Sequence, residues 1–317
     1  MAKKNQDEIV GKYQPKKKQN LKIYDFIKYK LSRSGYELFK ECSTFNRFLA
    51  TQDKEKHKLI ASNSCKNRFC PICAWKKARK DAMKIATMME AIKLEEKKEF
   101  LFLTLTTPNV KADMVKSEID RFNKAFSKLF RRERIMKSIK GYIRKLEMTY
   151  NKERDDYNPH FHVLLCVNKS YFTDKRYYIP QKEWLEMWQE VTDLPEITQV
   201  HIQKVELVRE GNAVGEIAKY SAKDYEMATS QEVFDVFYSA LKGRQLITFN
   251  GLFKEYASKY EKGELDKYKT KDKNEYFYKL IATWNPDLLK FNREYLELTE
   301  EEKEKCNGHL IDEMEVE

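Results

Sequence analysis

Four short stretches in the middle of the chain are either alternating or continuously apolar, and both patterns predict β-strands. They cover residues 100–108, 142–150, 161–167 and 200–207. Pro108 ends the first, because proline cannot donate a hydrogen bond to a neighbouring strand. Only a charged turn at 151–158 separates the second stretch from the third. We therefore expect these two strands to form an antiparallel pair.

Other stretches place apolar residues three and four positions apart, which predicts helices that bury one face. The predicted helices lie at about 21–48, 75–98, 112–139, 181–191, from 212 onward, and over much of 231–299. In the 112–139 helix, Val115, Ile119 and Phe122 begin the apolar side, while lysines and arginines line the other. We expect the aromatic residues of the 181–191 helix to lie in the core rather than to stack on bases.

The charge balance indicates a polyanionic partner. The chain has 61 Lys and Arg residues against 50 Asp and Glu, and its last stretch is the most acidic. The remainder is therefore strongly basic, which favours nucleic acid or an anionic membrane surface as a partner. Because no apolar stretch is long enough to span a bilayer and the N-terminus lacks the apolar core of a signal peptide, we expect a cytoplasmic protein with no membrane partner.

Three cysteines lie close together in the sequence, at Cys65, Cys70 and Cys73. The spacing of the last two allows both thiolates to hold one tetrahedral Zn²⁺. Such crowding in a reducing compartment favours a metal over disulfides. Either Cys42 or His57 would supply the fourth ligand of a structural zinc site. The alternative is a set of reduced thiols that bind no metal.

His160 and His162 stand two residues apart at the start of the third predicted strand. Residues at i and i+2 of a strand share a face, so both imidazoles would be close enough to hold one cation. Glu147 on the neighbouring predicted strand would supply a third ligand. The alternative is ordinary polar surface, with Glu147 paired to Lys145 or Arg144.

The predicted helix after residue 212 carries Glu216, Tyr220 and Lys223 at spacings of four and three. These spacings place a carboxylate, a phenol and an ammonium on one helical face. A phenol is a poor nucleophile at its ordinary pKa of about 10, but a nearby cation or metal makes it competent. Taken alone, the pattern is that of an ordinary helix with an acid–lysine pair and an exposed tyrosine.

Three segments in this order resemble the plasmid rolling-circle replication initiators of the Rep_1 type, within the endonuclease superfamily named for its His-hydrophobe-His motif. They are Thr104-Leu-Thr-Thr-Pro108, residues 158–165 around the two histidines, and residues 216–224 around Tyr220. The cysteine knuckle that leads into Trp75 and residues 241–251 are similar to further family segments. The resemblance covers about residues 42–256.

The resemblance implies an α+β fold, in which a central antiparallel sheet carries the two histidines on a middle strand and helices pack around it. It also implies that His160 and His162 hold Mg²⁺ or Mn²⁺, and our strand pairing adds Glu147. Tyr220 would nick the DNA and retain a 5′-phosphotyrosyl link, leaving a 3′-OH primer. Glu216 would activate water at termination. Lys223 would either contact the phosphate or lower the pKa of the tyrosine.

The implied partners are double-strand origin DNA, single-stranded DNA, and the host helicase and DNA polymerase. Five regions follow from these expectations: a disordered basic arm at 1–20, a helical zinc-knuckle region at 21–98, a catalytic nickase core at 99–230, a helical C-terminal extension at 231–299 and an acidic tail at 300–317. Two alternative functions remain: a transposase or relaxase of the same superfamily, and a non-enzymatic, zinc-containing DNA-binding regulator.

Overall fold

A computed structural model of the chain describes residues 8–206, 212–219 and 222–312. Its helices in chain order are α1 (Glu8–Ile27), α2 (Arg33–Lys40), α3 (Pro71–Glu95), α4 (Val115–Leu129), α5 (Glu133–Ser138), α6 (Gln181–Thr192), α7 (Asn212–Ala218), α8 (Asp224–Met227), α9 (Gln231–Leu241), α10 (Leu252–Glu261) and α11 (Glu300–Cys306). No helix in these described ranges is long and apolar enough to cross a membrane.

The strands form two antiparallel sheets. In chain order they are β1 (Phe45–Ala50), β2 (His57–Ser62), β3 (Lys98–Thr106), β4 (Ile139–Asn151), β5 (Asp156–Asn168), β6 (His201–Lys204), β7 (Ile247–Gly251), β8 (Tyr278–Asn285) and β9 (Lys290–Glu297). One sheet has the order β2-β1-β8-β9, and the other has the order β6-β3-β5-β4-β7. The predicted mixture of helices and antiparallel sheet is confirmed.

The chain divides into two compact units, which differ from the predicted regions. Of the described residues, the first unit comprises 8–77 and 270–312, and the second comprises 78–206, 212–219 and 222–269. The four-stranded sheet lies in the first unit and the five-stranded sheet in the second. The chain segment after residue 269 therefore completes the first unit, because β8 and β9 pair with β1.

In the second unit, β5 is the middle strand of the sheet and is bonded on both sides. It pairs antiparallel with β4 through the short turn between them, as the sequence predicted, and with β3 on its other side. His162 lies opposite Thr104 of β3, and His160 lies opposite Glu147 of β4. This register brings the polar residues of three strands to one face of the sheet.

Apolar residues cover the same face of the sheet beyond these polar positions. Phe102, Ile143 and Leu164 belong to one buried cluster with residues of α3, α7 and α10. Val214 and Ile217 are the α7 members of that cluster, and both are fully buried. The packing of these two side chains holds α7 against the sheet beside its polar patch.

The opposite face of the sheet packs against α4 and α6. Phe122 of α4 stacks on Phe161 of β5 with ring centroids 4.3 Å apart. Trp188 of α6 meets the edge of Phe122 and donates a hydrogen bond from Nε1 to the carbonyl of Thr106 at 2.9 Å. These aromatic residues of α6 lie in the core, as predicted, and the contacts fix β3 and β5 from behind the polar patch.

Several predicted boundaries were wrong. Residues 8–20, expected as a disordered arm, belong to α1, which buries Tyr13, Ile23 and Ile27 along one side. The region 231–299, expected to be helical, contains three strands, because alternating positions there pair with existing strands. The expected tail begins with α11, whose Thr299 and Glu302 form a capping box. Burial of one side of α1 and the pairing of β7, β8 and β9 with other strands outweighed local composition, whereas the capping box of α11 is a local signal.

Candidate active site

Two histidines of β5 point their Nε2 atoms toward the same point on the sheet. His160 Nδ1 lies 3.1 Å from the carbonyl oxygen of Asn158, and His162 Nδ1 lies 3.2 Å from the hydroxyl oxygen of Thr104. A carbonyl can only accept a hydrogen bond, so the proton of neutral His160 resides on Nδ1 and the lone pair on Nε2. Such partners fix the orientation and tautomer of metal-binding histidines in general.

Glu147 brings a carboxylate to the same point from β4. Its Oε2 atom lies 3.4 Å from His162 Nε2 and 3.9 Å from His160 Nε2. The residue is buried, and this oxygen has no hydrogen-bond partner within the described part of the chain. The three ligand atoms all lie within 4.8 Å of one another. A buried acceptor without a donor, set beside two nitrogen lone pairs, fits a bound cation.

The local electrostatics keep Glu147 and His160 in the forms that bind a cation. Burial alone would raise the pKa of Glu147, but the two neighbouring imidazoles and Lys145 outweigh it and lower that pKa below its ordinary value. Burial lowers the pKa of His160 and outweighs the charge of Glu147, which would raise it; His162 and Lys223 make smaller contributions in the same direction as burial. A carboxylate and a neutral imidazole are the forms that metal ions require.

Helix α7 places a second carboxylate near the histidines. The Oε2 atom of Glu216 lies 3.9 Å from His162 Nε2, while its other oxygen accepts a hydrogen bond from Lys219. The Glu216 side chain is 30% exposed, so solvent reaches it. The structure therefore brings Glu216 to the edge of the histidine pair, in a position that water can share.

The helix predicted from residue 212 through Lys223 is longer than the helix in the structure. Helix α7 ends at Ala218, and the buried ammonium of Lys145 donates a hydrogen bond to the carbonyl of Lys219. Lys223 lies just before α8, outside either helix. The shared helical face expected for Glu216 and Lys223 is therefore absent from the described residues. Tyr220 lies outside those residues.

Lys223 pairs with a buried carboxylate, that of Glu226. Its Nζ atom lies 3.8 Å from Oε1 of Glu226, whose other oxygen accepts a hydrogen bond from the Tyr150 backbone at 2.9 Å. Burial lowers the pKa of Lys223, but Tyr225, Glu226 and more distant Glu147 outweigh this and raise it above its ordinary value. Lys223 is therefore a cation at neutral pH.

A second cluster, in the first unit, gathers four cysteines. Cys42 follows α2, Cys65 lies in a loop, and Cys70 and Cys73 flank the start of α3. The Sγ distances are 3.5 Å from Cys42 to Cys73 and 3.6 Å from Cys65 to Cys73 and from Cys42 to Cys70. Sulfurs bound to one tetrahedral zinc stand about 3.8 Å apart, given a Zn–S bond of about 2.3 Å. The cluster fits a metal ion of that kind.

His57 does not belong to the cysteine cluster. Its Nε2 atom lies 3.0 Å from the hydroxyl of Tyr295, on the sheet formed by β1, β2, β8 and β9. The four groups that come together are Cys42, Cys65, Cys70 and Cys73. Of the two candidates that the sequence left open, the geometry therefore favours Cys42 as the fourth ligand.

Sequence analysis did not name three residues of this region as site residues: Thr104, Lys145 and Glu226. Thr104 faces the histidines and lies in the first of the three family-like segments, so its position was available as a signal. Lys145 shares the face of Glu147 by alternation along β4, but its contact with the end of α7 is a tertiary feature. Glu226 offered no comparable signal, because only the fold brings it against Tyr150.

Known proteins supply independent findings. Residues 56–295 match the family Rep_1, described as replication protein. The chain belongs to the Rep_1 family of replication proteins. It is 57% identical over 215 residues to Protein rep of Staphylococcus aureus, an overlap of 67% of this chain and 93% of that relative. It is 32% identical over 307 residues to Protein rep of Streptococcus pneumoniae serotype 2, over 89% of this chain and 94% of the relative. No solved structure gives a significant match.

Membership of the Rep_1 family confirms the predicted resemblance. The matched residues include the whole Glu147, His160 and His162 group and the segment from Glu216 to Lys223. They also include three of the four clustered cysteines, while Cys42 lies before the match. The two candidate metal sites thus fall largely within the part of the chain that defines the family.

Proposed function

We propose that this replication protein initiates rolling-circle replication of a plasmid by nicking one strand of its double-strand origin. The observation that carries the proposal is the convergence of His160, His162 and Glu147, with an unpartnered carboxylate oxygen between two imidazole Nε2 atoms. Rep_1 membership supports the biological setting. The basic composition supports a DNA partner.

The residues of the site divide the proposed chemistry among them. Glu147, His160 and His162 would hold Mg²⁺ or Mn²⁺, a choice that rests on the family resemblance. When bound, such an ion supplies positive charge that polarises the scissile phosphate. Lys223, a cation whose charge acts on His160, would contribute further charge toward the phosphate. Phe102, stacked on His162 at 5.3 Å, shields the imidazole on its other side.

Tyr220 is the proposed nucleophile, on the strength of the family-like segment that carries it. Its phenolic oxygen would bond to the phosphorus as the bond from phosphorus to the 3′ oxygen breaks. The phenol loses its proton and the departing 3′ oxygen gains one, so a 5′-phosphotyrosyl link and a free 3′-OH result. A phosphotyrosyl ester replaces a phosphodiester of the DNA, so the energy of that bond is conserved in the covalent link. The free 3′-OH is the primer for the host polymerase.

Glu216 is the proposed base for termination. It stands four residues before Tyr220, and its carboxylate lies at the edge of the histidine pair with part of its surface exposed. A carboxylate there would take a proton from water as the water attacks the phosphorus of the phosphotyrosyl link, so that the phenol of Tyr220 leaves and a 5′-phosphate remains on the DNA. Hydrolysis would then release the protein, which is the step that distinguishes an initiator from a relaxase or transposase.

The cysteine cluster is proposed as a structural zinc site. Four protein ligands close the coordination sphere, which leaves no position for a substrate. Its role would be to fix α2, the loop at Cys65 and the start of α3 relative to one another. The basic residues on α3 and α4 are candidates for contacts with duplex DNA, and host helicase would supply the unwound strand.

A nicking assay on a supercoiled plasmid that carries the replicon encoding this chain tests the proposal. We expect conversion to open circles with Mg²⁺ or Mn²⁺ and none with a chelator. His162→Ala and Glu147→Gln should slow nicking by about 100-fold or more, since each removes a ligand of the metal that supplies positive charge at the reacting phosphate. His201→Ala is the matched control, because His201 is exposed on edge strand β6 outside the ligand group. Nicking at the wild-type rate by His162→Ala and Glu147→Gln, as well as by the control His201→Ala, would refute the proposal.

A further inference from the structure

A lysine and an asparagine interrupt the apolar side of α1. The buried positions of this helix run Tyr13, Lys17, Asn20, Ile23 and Ile27, at spacings that define one face. Both polar side chains are fully buried, at 0% exposure. A buried ammonium costs several kcal/mol of desolvation unless charge and hydrogen bonds compensate it. Its compensation must therefore come from what the helix packs against.

The hydrogen bonds of Lys17 satisfy its protons but not its charge. Nζ donates to the carbonyls of Lys40 at 2.7 Å and Cys42 at 2.8 Å, and to Oδ1 of Asn20 at 3.2 Å. All three acceptors are neutral. The two carbonyls lie at the C-terminal end of α2, where the helix dipole gives only a partial negative charge.

Negative charge that acts on Lys17 comes from the neighbouring cysteine cluster and from Glu41. Asn20 Nδ2 lies 3.5 Å from Sγ of Cys70 and 3.3 Å from the carbonyl of Phe39. Lys17 bonds the backbone of Cys42, another member of the cluster. Four thiolates around one Zn²⁺ carry a net double negative charge. A buried cation beside such a group offsets charge that would otherwise be stranded in the protein interior.

We propose that Lys17 and Asn20 are positioning residues around the tetrathiolate zinc site, and that α1 packs on the cysteine cluster only while the metal is bound. The inference rests on the proposed structural zinc, and it is independent of the nickase chemistry. Without zinc the four sulfurs are no longer held around one point, so the contacts of Asn20 with Cys70 Sγ and of Lys17 with the Cys42 carbonyl lose their fixed partners. Metal loading would thus control whether the N-terminal helix is docked.

Zinc release from the full-length protein tests this inference. Zinc content is measured first, and then the rate of loss to a chromogenic chelator for wild type, Lys17→Met, Lys17→Gln and Asn20→Ala. The matched control is Lys18→Met, since Lys18 is the exposed neighbour on the same helix. We expect about ten-fold faster loss from Lys17→Met and Asn20→Ala, the range found for partners of metal ligands, and wild-type loss from Lys18→Met.

The Lys17→Gln variant distinguishes the effect of the lysine charge from the effect of its hydrogen bonds to the carbonyls at the end of α2. Gln can still donate to the two carbonyls at the end of α2 but carries no charge. We expect Lys17→Gln to lose zinc as fast as Lys17→Met. Restoration of the wild-type rate by Gln, or equal rates for Lys17→Met and Lys18→Met, would overturn the role of the charge.

A measurement on wild type alone covers the case in which the variants fail to fold. Hydrogen exchange over residues 8–27 is compared before and after zinc removal. We expect these amides to lose protection on removal, while the amides of β5 in the second unit keep theirs. Retained protection of α1 after zinc removal contradicts the inference. A purified protein without zinc would overturn both this inference and the proposed zinc site, whereas bound zinc with unchanged exchange overturns the inference alone.

Discussion

The carboxylate of Glu147 on β4 reaches the Nε2 atoms of both His162, at 3.4 Å, and His160, at 3.9 Å. The strand register places Glu147 directly opposite His160, and the side chain leans across to His162. Neither distance is a hydrogen bond of ordinary length. The three groups therefore surround a point that a cation can occupy, rather than satisfying one another. This relationship is the physical basis of the proposed nicking chemistry.

The hydroxyl of Thr104 should tune the affinity of this site for metal. Its oxygen lies 3.2 Å from Nδ1 of His162, so it fixes the ring whose other nitrogen faces Glu147. We expect Thr104→Val to weaken Mn²⁺ binding by about ten-fold, the effect usual for loss of such a partner. Titration of Mn²⁺ in the nicking assay, together with direct binding calorimetry, measures the change.

The control for this prediction is Thr106→Val on the same strand. The Thr106 hydroxyl contacts the Thr107 carbonyl and Asn158 rather than a histidine ring. We expect its metal affinity to remain close to that of wild type. If Thr104→Val and Thr106→Val bind Mn²⁺ with wild-type affinity, the hydroxyl of Thr104 has no role in orienting His162.

Replacement of Glu216 should separate initiation from termination. Because Glu216 is proposed to activate water and not to hold the metal, we expect Glu216→Ala to nick the origin at close to the wild-type rate. Release of the protein from DNA should slow by about 100-fold, which is the usual contribution of a general base. Single-turnover nicking and the lifetime of the covalent adduct are measured on the same samples.

Lys219 provides the matched variant, since it donates a hydrogen bond to Glu216. Lys219→Met keeps the carboxylate but removes its partner, so we expect a smaller effect on release than that of Glu216→Ala. Loss of the first cut in Glu216→Ala would contradict the division of labour between Tyr220 and Glu216.

A buried ion pair should make the first unit sensitive to acid. Asp272 accepts hydrogen bonds from Lys58 at 2.9 Å and from the hydroxyl of Tyr276 at 2.7 Å. Burial acts to raise the pKa of Asp272, but these donors outweigh it and lower the pKa from 3.8 to about 2. The folded state therefore binds this proton less tightly than the unfolded state, whose Asp pKa is about 3.9.

The sign of the pH dependence follows from that difference. The stabilisation from Asp272 is fully present above about pH 4 and is lost as the pH falls through about 2, an effect of about 2 kcal/mol. Urea unfolding at pH 6, 4 and 2 measures the free energy of unfolding of wild type and Asp272→Asn. The variant should lose stability at pH 6 and show a shallower decline, while Asp287→Asn, at an exposed turn, should follow wild type. An equally steep decline in Asp272→Asn would show that other groups dominate.

Patterns among neighbouring residues were enough to predict most of the side chains that come together in the two candidate metal sites. Alternation along β4 and β5, with a short turn between them, is enough to put Glu147 beside His160 and His162. The spacing of Cys65, Cys70 and Cys73 likewise predicted a cluster, because all three lie within one short segment. These predictions succeeded because strand period and ligand spacing are properties of neighbouring residues.

The features that sequence analysis missed depend on contacts between distant residues. Lys17 belongs to a lysine-rich segment, and only the fold brings its buried ammonium against the carbonyls of Lys40 and Cys42. The helix before Tyr220 ends early where Lys145 meets the Lys219 carbonyl, 74 residues away in sequence. The strands after residue 277 join a sheet whose other members lie before residue 63. The periodicity of a short stretch of sequence cannot indicate contacts with residues that lie far away in the chain.

Mapping the covalent protein–DNA adduct tests the central claim most directly. The protein is incubated with a single-stranded origin oligonucleotide and Mn²⁺, digested with protease and nuclease, and the modified peptide is sequenced by mass spectrometry. We predict a 5′-phosphonucleotide on Tyr220 in wild type and Glu216→Ala, and no adduct in Tyr220→Phe or without metal. An adduct on Tyr225 or another residue, or DNA cleavage by Tyr220→Phe with no adduct at all, would contradict the account.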